Sequence, residues 1–441
     1  MNTATNLTGK TRLSLLIGLL LLAGATEFSF RGPVRLWNGG MGWNDFLSPY
    51  IQATTWVHGK DPYSVQSLIT YWPADVSRPS FVDSDAAAGR LERKRGIPSP
   101  YPLPSLVLIS LFAALPWKIA VLLWSVISVI AVVVAAFALL AVCRCHLAEL
   151  RSQIFLASVF ALAPLHTGLA TANPAVLAIA VSVISLWAKD AHREKAAGFL
   201  LAFAICMKPT VAAGLLLYFL VRRRWILIVT SSAVAGAVGI VGVVRLAFAG
   251  TPWISSYIEN GRRMFATGSV DDFTRTAVVR FNMINSQVFF GGLLSDASTV
   301  KFLSHLLGLI MLIAWVWLCY RRRTSTGLLE IGAISILSLI AVYHRFYDAA
   351  LLILPLAWSL LVVSKRSTQM IILATIAPFF VPGPIFLTNL ANAGYISANI
   401  TDRWWWNAII LPYQAWDLIL LSGMLLYFLW KEPPERSQPA L

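Results

Sequence analysis

Leu13–Phe30 reads LSLLIGLLLLAGATEFSF, an almost wholly apolar run behind Lys10 and Arg12. A run of that length and composition crosses a bilayer as a helix. Runs like it recur along the whole chain. Of 441 residues, 58% are hydrophobic and only 12% charged, and the mean hydropathy is +0.71. That composition excludes a soluble domain. The runs are continuous rather than alternating, which excludes an outer-membrane barrel. The chain is read as an all-α polytopic membrane protein, a single integral-membrane unit of about a dozen transmembrane helices. Ala23-Gly24-Ala25 looks like a signal-peptidase site. A cleaved leader and a retained signal-anchor are both open, and the many spans that follow favour the anchor. Either way the next loop is delivered outside.

The net charge of +15 does not point to nucleic acid. Much of the positive charge sits in short clusters at the ends of apolar runs, such as Arg222-Arg223-Arg224, Arg321-Arg322-Arg323 and Lys365-Arg366, which places those ends in the cytoplasm. Spans near 225–248, 300–320, 326–343, 349–364, 369–387 and 408–430 then leave 249–299, 344–348 and 388–407 outside. The segment 196–221 has Lys208-Pro209 at its middle and basic residues at both flanks. It is either a hairpin with Lys208-Pro209 at the apex or one span holding a buried lysine, which costs about 3 kcal/mol on insertion scales. The hairpin is favoured. The tail 432–441 is read as disordered. Cys143, Cys145, Cys206 and Cys319 lie in or beside apolar runs, with neither a metal spacing nor a disulfide framework.

Function concentrates in the first outer loop, 31–103. Carboxylates are scarce in this chain, and Asp45 sits there among aromatic residues, in Asn44-Asp45-Phe46-Leu47-Ser48-Pro49-Tyr50 and on to His58-Gly59-Lys60-Asp61-Pro62-Tyr63. A carboxylate at a membrane surface, beside rings that stack on sugars, is a candidate general base. The competing reading is that Asp45 caps a helix. Phe46, Tyr50, Ala53 and Val57 share one helical face, Gly59 stands at the stop, and the whole reads as an amphipathic helix lying on the outer surface. No P-loop, dinucleotide fingerprint or H-E-x-x-H appears. Asp271-Asp272 reads as a loop cap rather than a metal site, so neither a metal nor another cofactor is expected.

Several segments, in order, resemble the GT-C superfamily of membrane glycosyltransferases, and within it glycosyltransferase family 87. They are Asp45-Phe46 with Tyr50 and His58 to Tyr63, then Tyr101-Pro102-Leu103-Pro104, Asn173-Pro174, Lys208-Pro209, Tyr218 to Trp225, and Tyr343-His344-Arg345-Phe346-Tyr347-Asp348. The chain has Tyr101-Pro102-Leu103 where the family commonly has Tyr-Pro-Pro, and Thr171-Ala172 where it often has Gly-Gln. The resemblance implies a GT-C-like bundle and transfer of a hexosyl, expectedly mannosyl, group. The donor would be a polyprenyl-phosphate-sugar and the acceptor a lipid- or glycan-linked hydroxyl. The reaction would occur at the outer face of the inner (plasma) membrane, with Asp45 as base and His344 near a substrate. A lipid phosphate would leave, so it needs cations. Lys208, Arg262, Arg263, Arg280 and the run Arg90 to Arg95 are candidates, and sequence does not rank them. Tyr50, Tyr63 and Tyr101 are candidate sugar platforms, or else members of the interfacial aromatic belt. Asn173 and Asp348 complete the expected substrate-binding set, and His344 is equally read as a polar residue at a helix mouth. The alternative is a transporter or flippase of a lipid-linked or anionic solute. It is disfavoured by the lack of an internal repeat and by intramembrane ionisable residues limited to Lys208, Glu330 and Asp417.

Overall fold

The computed structural model describes residues 3–39, 44–77, 99–266, 268–269, 271–275, 277–321 and 327–431. Arg90 to Arg95, Arg322-Arg323 and the tail 432–441 lie outside the described residues. Among those described, secondary structure is helical, with one isolated bridge between Met283 and Arg345. In chain order, the helices that position the site are α1 (Thr3–Arg31), α2 (Leu47–Val57), α3 (Leu103–Ala113), α4 (Trp117–Val142), α5 (Leu150–Ala161), α6 (Ala163–Ala170), α7 (Pro174–Asp190), α8 (Glu194–Met207), α9 (Pro209–Val221), α10 (Trp225–Phe248), α11 (Ile254–Met264), α12 (Ala297–Arg321) and α13 (Leu328–Ala341). A mixed helical stretch, Phe346–Leu352 continuing to Val362, follows α13.

Leu15–Asn38, α4, α10 and α12 are long and apolar enough to cross a membrane, and two bent pairs, α5 with α6 (45°) and 366–380 with 383–392 (56°), bring the number to six at most. This measure does not reach the dozen expected from sequence. The reason is that several apolar runs are broken at prolines or polar turns. The pieces α3, α9, 328–340 and 346–362 run 10–17 residues. At 1.5 Å per residue they are about 15–26 Å long, short of the ~30 Å hydrocarbon core. Helices of that length do not make a full crossing by themselves.

The segment 196–221 adopts the hairpin. Arg224 Nη1 lies 3.5 Å from Glu194 Oε1, so the start of α8 and the end of α9 meet. Between them Lys208 leaves the helical region at φ −151° and ψ 89°, as a residue before proline does. Arg144, Lys189, His192, Glu194 and Arg224 line one cavity at this basic end. Arg222 pairs there with the buried Glu330, its Nε donating to Oε2 at 3.0 Å, and its Nη1 donates to the Cys319 carbonyl at 3.2 Å. The ends of α4, α7, α9 and α12 and the starts of α8, α10 and α13 therefore share one face. Lys208-Pro209, Asn173 and residues 343–348 come together at the other.

α2 departs from the amphipathic surface helix. Eight of its eleven residues are buried: Leu47, Pro49, Tyr50, Ile51, Gln52, Ala53, Thr55 and Trp56. It packs on α3, and Trp56 Nε1 donates to the Gly242 carbonyl of α10 at 2.9 Å. The helical period in the sequence was real, but positions on the other face are filled by protein rather than water. The stop at Gly59 is as read, with φ +69° just past the helix. One continuous core of buried side chains runs from Phe28 to Leu429.

Candidate active site

The loop entering α7 fixes the first carboxylate. Ala172 turns the chain at φ +52°, and Asn173 caps α7, its side-chain oxygen accepting from the Ala175 amide at 2.9 Å, with Pro174 as the first helical residue. The other end of the same amide, Asn173 Nδ2, donates to Asp45 Oδ2 at 2.8 Å, and the Asp45 amide donates to the Thr171 carbonyl at 2.8 Å. Beneath, Phe46 stacks on Trp124 with ring centroids 4.3 Å apart, and Trp124 Nε1 donates to the Ala172 carbonyl at 3.0 Å. Asp45 is not the cap of α2. The cap position is Phe46, without a side-chain bond, and Asn44 Oδ1 takes the Phe46 amide at 3.0 Å. The Asp45 side chain is turned instead to Asn173 and a cavity.

That cavity, about 370 Å³, is walled by Asp45, Asn173, Tyr101, Lys208, Arg345 and Tyr347, among others. Lys208, at the hairpin apex, donates from Nζ to Asp348 Oδ1 at 2.6 Å and lies 4.8 Å over the Tyr347 ring. Asp348 Oδ2 receives the His344 ring Nδ1 at 3.0 Å and the Arg345 amide at 3.0 Å. A carboxylate with three donors holds one cation toward the cavity and closes the turn. Arg345 is held by a second buried carboxylate, its Nη2 donating to Asp271 Oδ1 at 2.7 Å, while Tyr343 donates to the same oxygen at 2.5 Å. Asp271 is therefore not the loop cap expected from sequence. Asp272 is, its two oxygens accepting the Thr274 and Gly268 amides at 2.8 and 2.7 Å. Burial raises the Asp271 carboxyl above its usual range against the pull of Arg345. Burial, reinforced by the Asp45 and Asp348 carboxylates, also raises the Tyr101 hydroxyl, which stays a neutral donor.

Of the residues expected from sequence, Asp45, Asn173, Tyr101 and Lys208 stand on this cavity. Asp348 lies one shell behind it through Lys208. His344 is fully buried, its Nε2 has no hydrogen-bond partner among the described residues, and it is not on the wall. Tyr50 is buried, its hydroxyl donating to the Leu115 carbonyl at 2.7 Å. Tyr63 donates to the Tyr101 carbonyl at 2.7 Å and supports that residue from outside. Arg262 and Arg263 lie on α11, Arg262 exposed and Arg263 paired with Glu259 at 2.6 Å. Arg280 is buried elsewhere, donating to the Asn407 carbonyl. Sequence reasoning missed Arg345, Tyr347 and Asp271 as members. The polar run 343–348 flagged the turn, but not which of its residues would face inward.

A family model for glycosyltransferase family 87 matches residues 100–355, more than half of the chain. The chain belongs to glycosyltransferase family 87. No curated protein and no solved structure matches it. The family 87 match contains Asn173, Lys208 and the whole 343–348 turn, and Asp45 precedes it. As a member of family 87 the protein is a membrane glycosyltransferase, and the cavity is its candidate active site.

Proposed function

We propose that this enzyme transfers a hexosyl group, expectedly mannosyl, from a polyprenyl-phosphate-sugar to a lipid- or glycan-linked hydroxyl on the membrane face opposite the basic clusters. The observation that carries the reading is the meeting of one carboxylate, Asp45, and two cations, Lys208 and Arg345, on a single cavity. The acceptor oxygen attacks the anomeric carbon. Its proton passes to Asp45. The bond from that carbon to the phosphate oxygen breaks, and the electron pair leaves with the lipid phosphate. Attack from the face opposite the leaving group inverts the configuration. Asn173 orients Asp45 and leaves its Oδ1 without a hydrogen bond among the described residues. Lys208 and Arg345 stabilise the charge that develops on the phosphate. Tyr101 offers a ring face and a hydroxyl to the sugar.

The depth of the site fits a donor carried by lipid. Lys208 tops a helix of 13 residues and so stands about 20 Å from the basic end, less than the ~30 Å that a hydrocarbon core spans. A sugar made inside the cell reaches such a place on a carrier. The deciding experiment is transfer by purified protein from a polyprenyl-phosphate-hexose with a chelator present. Turnover from a nucleotide sugar in the absence of lipid carrier, or a requirement for divalent metal, refutes the reading. Transport of a solute finds less support, because Glu330 is paired with Arg222 at the basic end.

A further inference from the structure

α10 carries three glycines in its middle, Gly236, Gly239 and Gly242. Each costs a helix about 1 kcal/mol relative to alanine. Gly242 has a packing reason: a β-carbon there would stand 2.9 Å from Leu103 Cβ, and Trp56 bonds its carbonyl. The other two have none among the described residues. A β-carbon at Gly236 meets nothing within 4 Å, and one at Gly239 meets only Pro104 Cγ, at 3.7 Å. Both floor a groove of about 510 Å³, with Ile240, Val243 and Val244 continuing the same face of α10 at helical spacing. Its opposite wall is Pro102-Leu103-Pro104, and its lining is carbon almost throughout.

The groove adjoins the active-site cavity, since Pro102 and Tyr257 line both. Lys208 stands on the cavity side. Ser105 Oγ, in the first turn of α3, donates to the Cys206 and Met207 carbonyls at 2.6 and 3.1 Å, which ties the groove's wall to the residues just before that lysine. From there the glycine face runs along α10 for about 12 Å, toward the middle of a helix long and apolar enough to cross a membrane.

We propose that Gly236 and Gly239 form the track for the donor's prenyl chain next to the phosphate, and so determine which carrier lipids the enzyme accepts. This rests on the donor reading above. With the phosphate at Lys208, the chain leaves past Pro102 and lies over bare backbone, in the space that a side chain at either glycine would fill. Little energy comes from transferring the chain out of lipid, because both surroundings are apolar. The track acts by orienting the phosphate.

The test uses purified wild type, Gly236→Leu, Gly239→Leu and, as the small-volume control, Gly239→Ala. Each is assayed with hexosyl donors on a long polyprenyl chain and on a single isoprene unit, which is too short to reach the two glycines. The leucine variants should lose about tenfold or more in kcat/KM with the long donor and less than about twofold with the short one. Equal loss on both donors, or no loss on the long one, overturns the track. In parallel, wild type is irradiated with a photoreactive polyprenyl phosphate that carries no sugar. Labels are expected on 102–104 and 236–244, and labels only elsewhere overturn the proposal without touching the chemistry. Failure of wild type to use either donor refutes the donor reading instead.

Discussion

Asp45→Asn separates a base from a structural carboxylate. The replacement keeps an oxygen in place to accept from Asn173 Nδ2, and the backbone bond from residue 45 to the Thr171 carbonyl is untouched. Asp45 caps no helix, so no cap is lost. Stability should fall by about 1 kcal/mol at most, the difference between a charged and a neutral acceptor. The rate should fall far more. A positioned general base contributes about 10²–10⁴-fold, equivalent to about 3–5 kcal/mol of barrier. The loss should appear in kcat, with donor KM little changed. Asn173→Ala is the companion. It costs about 1 kcal/mol as a lost cap and frees Asp45 to rotate, so its rate should lie between the two. The assay is transfer from a polyprenyl-phosphate-hexose by protein in detergent, beside a thermal melt of each variant. Asp45→Asn turning over within about threefold of wild type at normal stability would falsify the assignment of the base.

Asp348→Ala should lower the melting temperature sharply, because Lys208, His344 and the Arg345 amide all lose their acceptor; breaking such a buried pair costs about 3–5 kcal/mol, and an unchanged melt would remove the network from the fold's support. Arg345→Lys keeps the charge but not the fork that spans Asp271 and the cavity, so donor KM should rise while expression holds; an unchanged KM would take Arg345 off the phosphate. In a background lacking Cys143, Cys145, Cys206 and Cys319, Glu259→Cys should react with an impermeant thiol reagent from outside intact cells and His192→Cys should not; the reverse pattern would invert the protein in the membrane.

The sequence alone determined that this chain is helical, lies in a membrane, has its basic clusters at one end and belongs to a glycosyltransferase line. Those properties depend on composition, run length and local motifs, which need no knowledge of what packs against what. Local chemistry also favoured Lys208-Pro209 as a hairpin apex, since a residue before proline leaves the helix. Tertiary structure decided which polar residues meet. Residues 45 and 173 are joined by one hydrogen bond across 128 positions, and residues 208 and 348 by one ion pair across 140. No local pattern carries such pairings. For the same reason His344 and Arg345, adjacent in a six-residue turn, could not be told apart. The turn's bonds to Asp348 and Asp271 bury the first and leave the second on the cavity. Whether α2 lay on a surface or inside also waited on α3 and α10, because a helix's period records one buried face and says nothing of what covers the others.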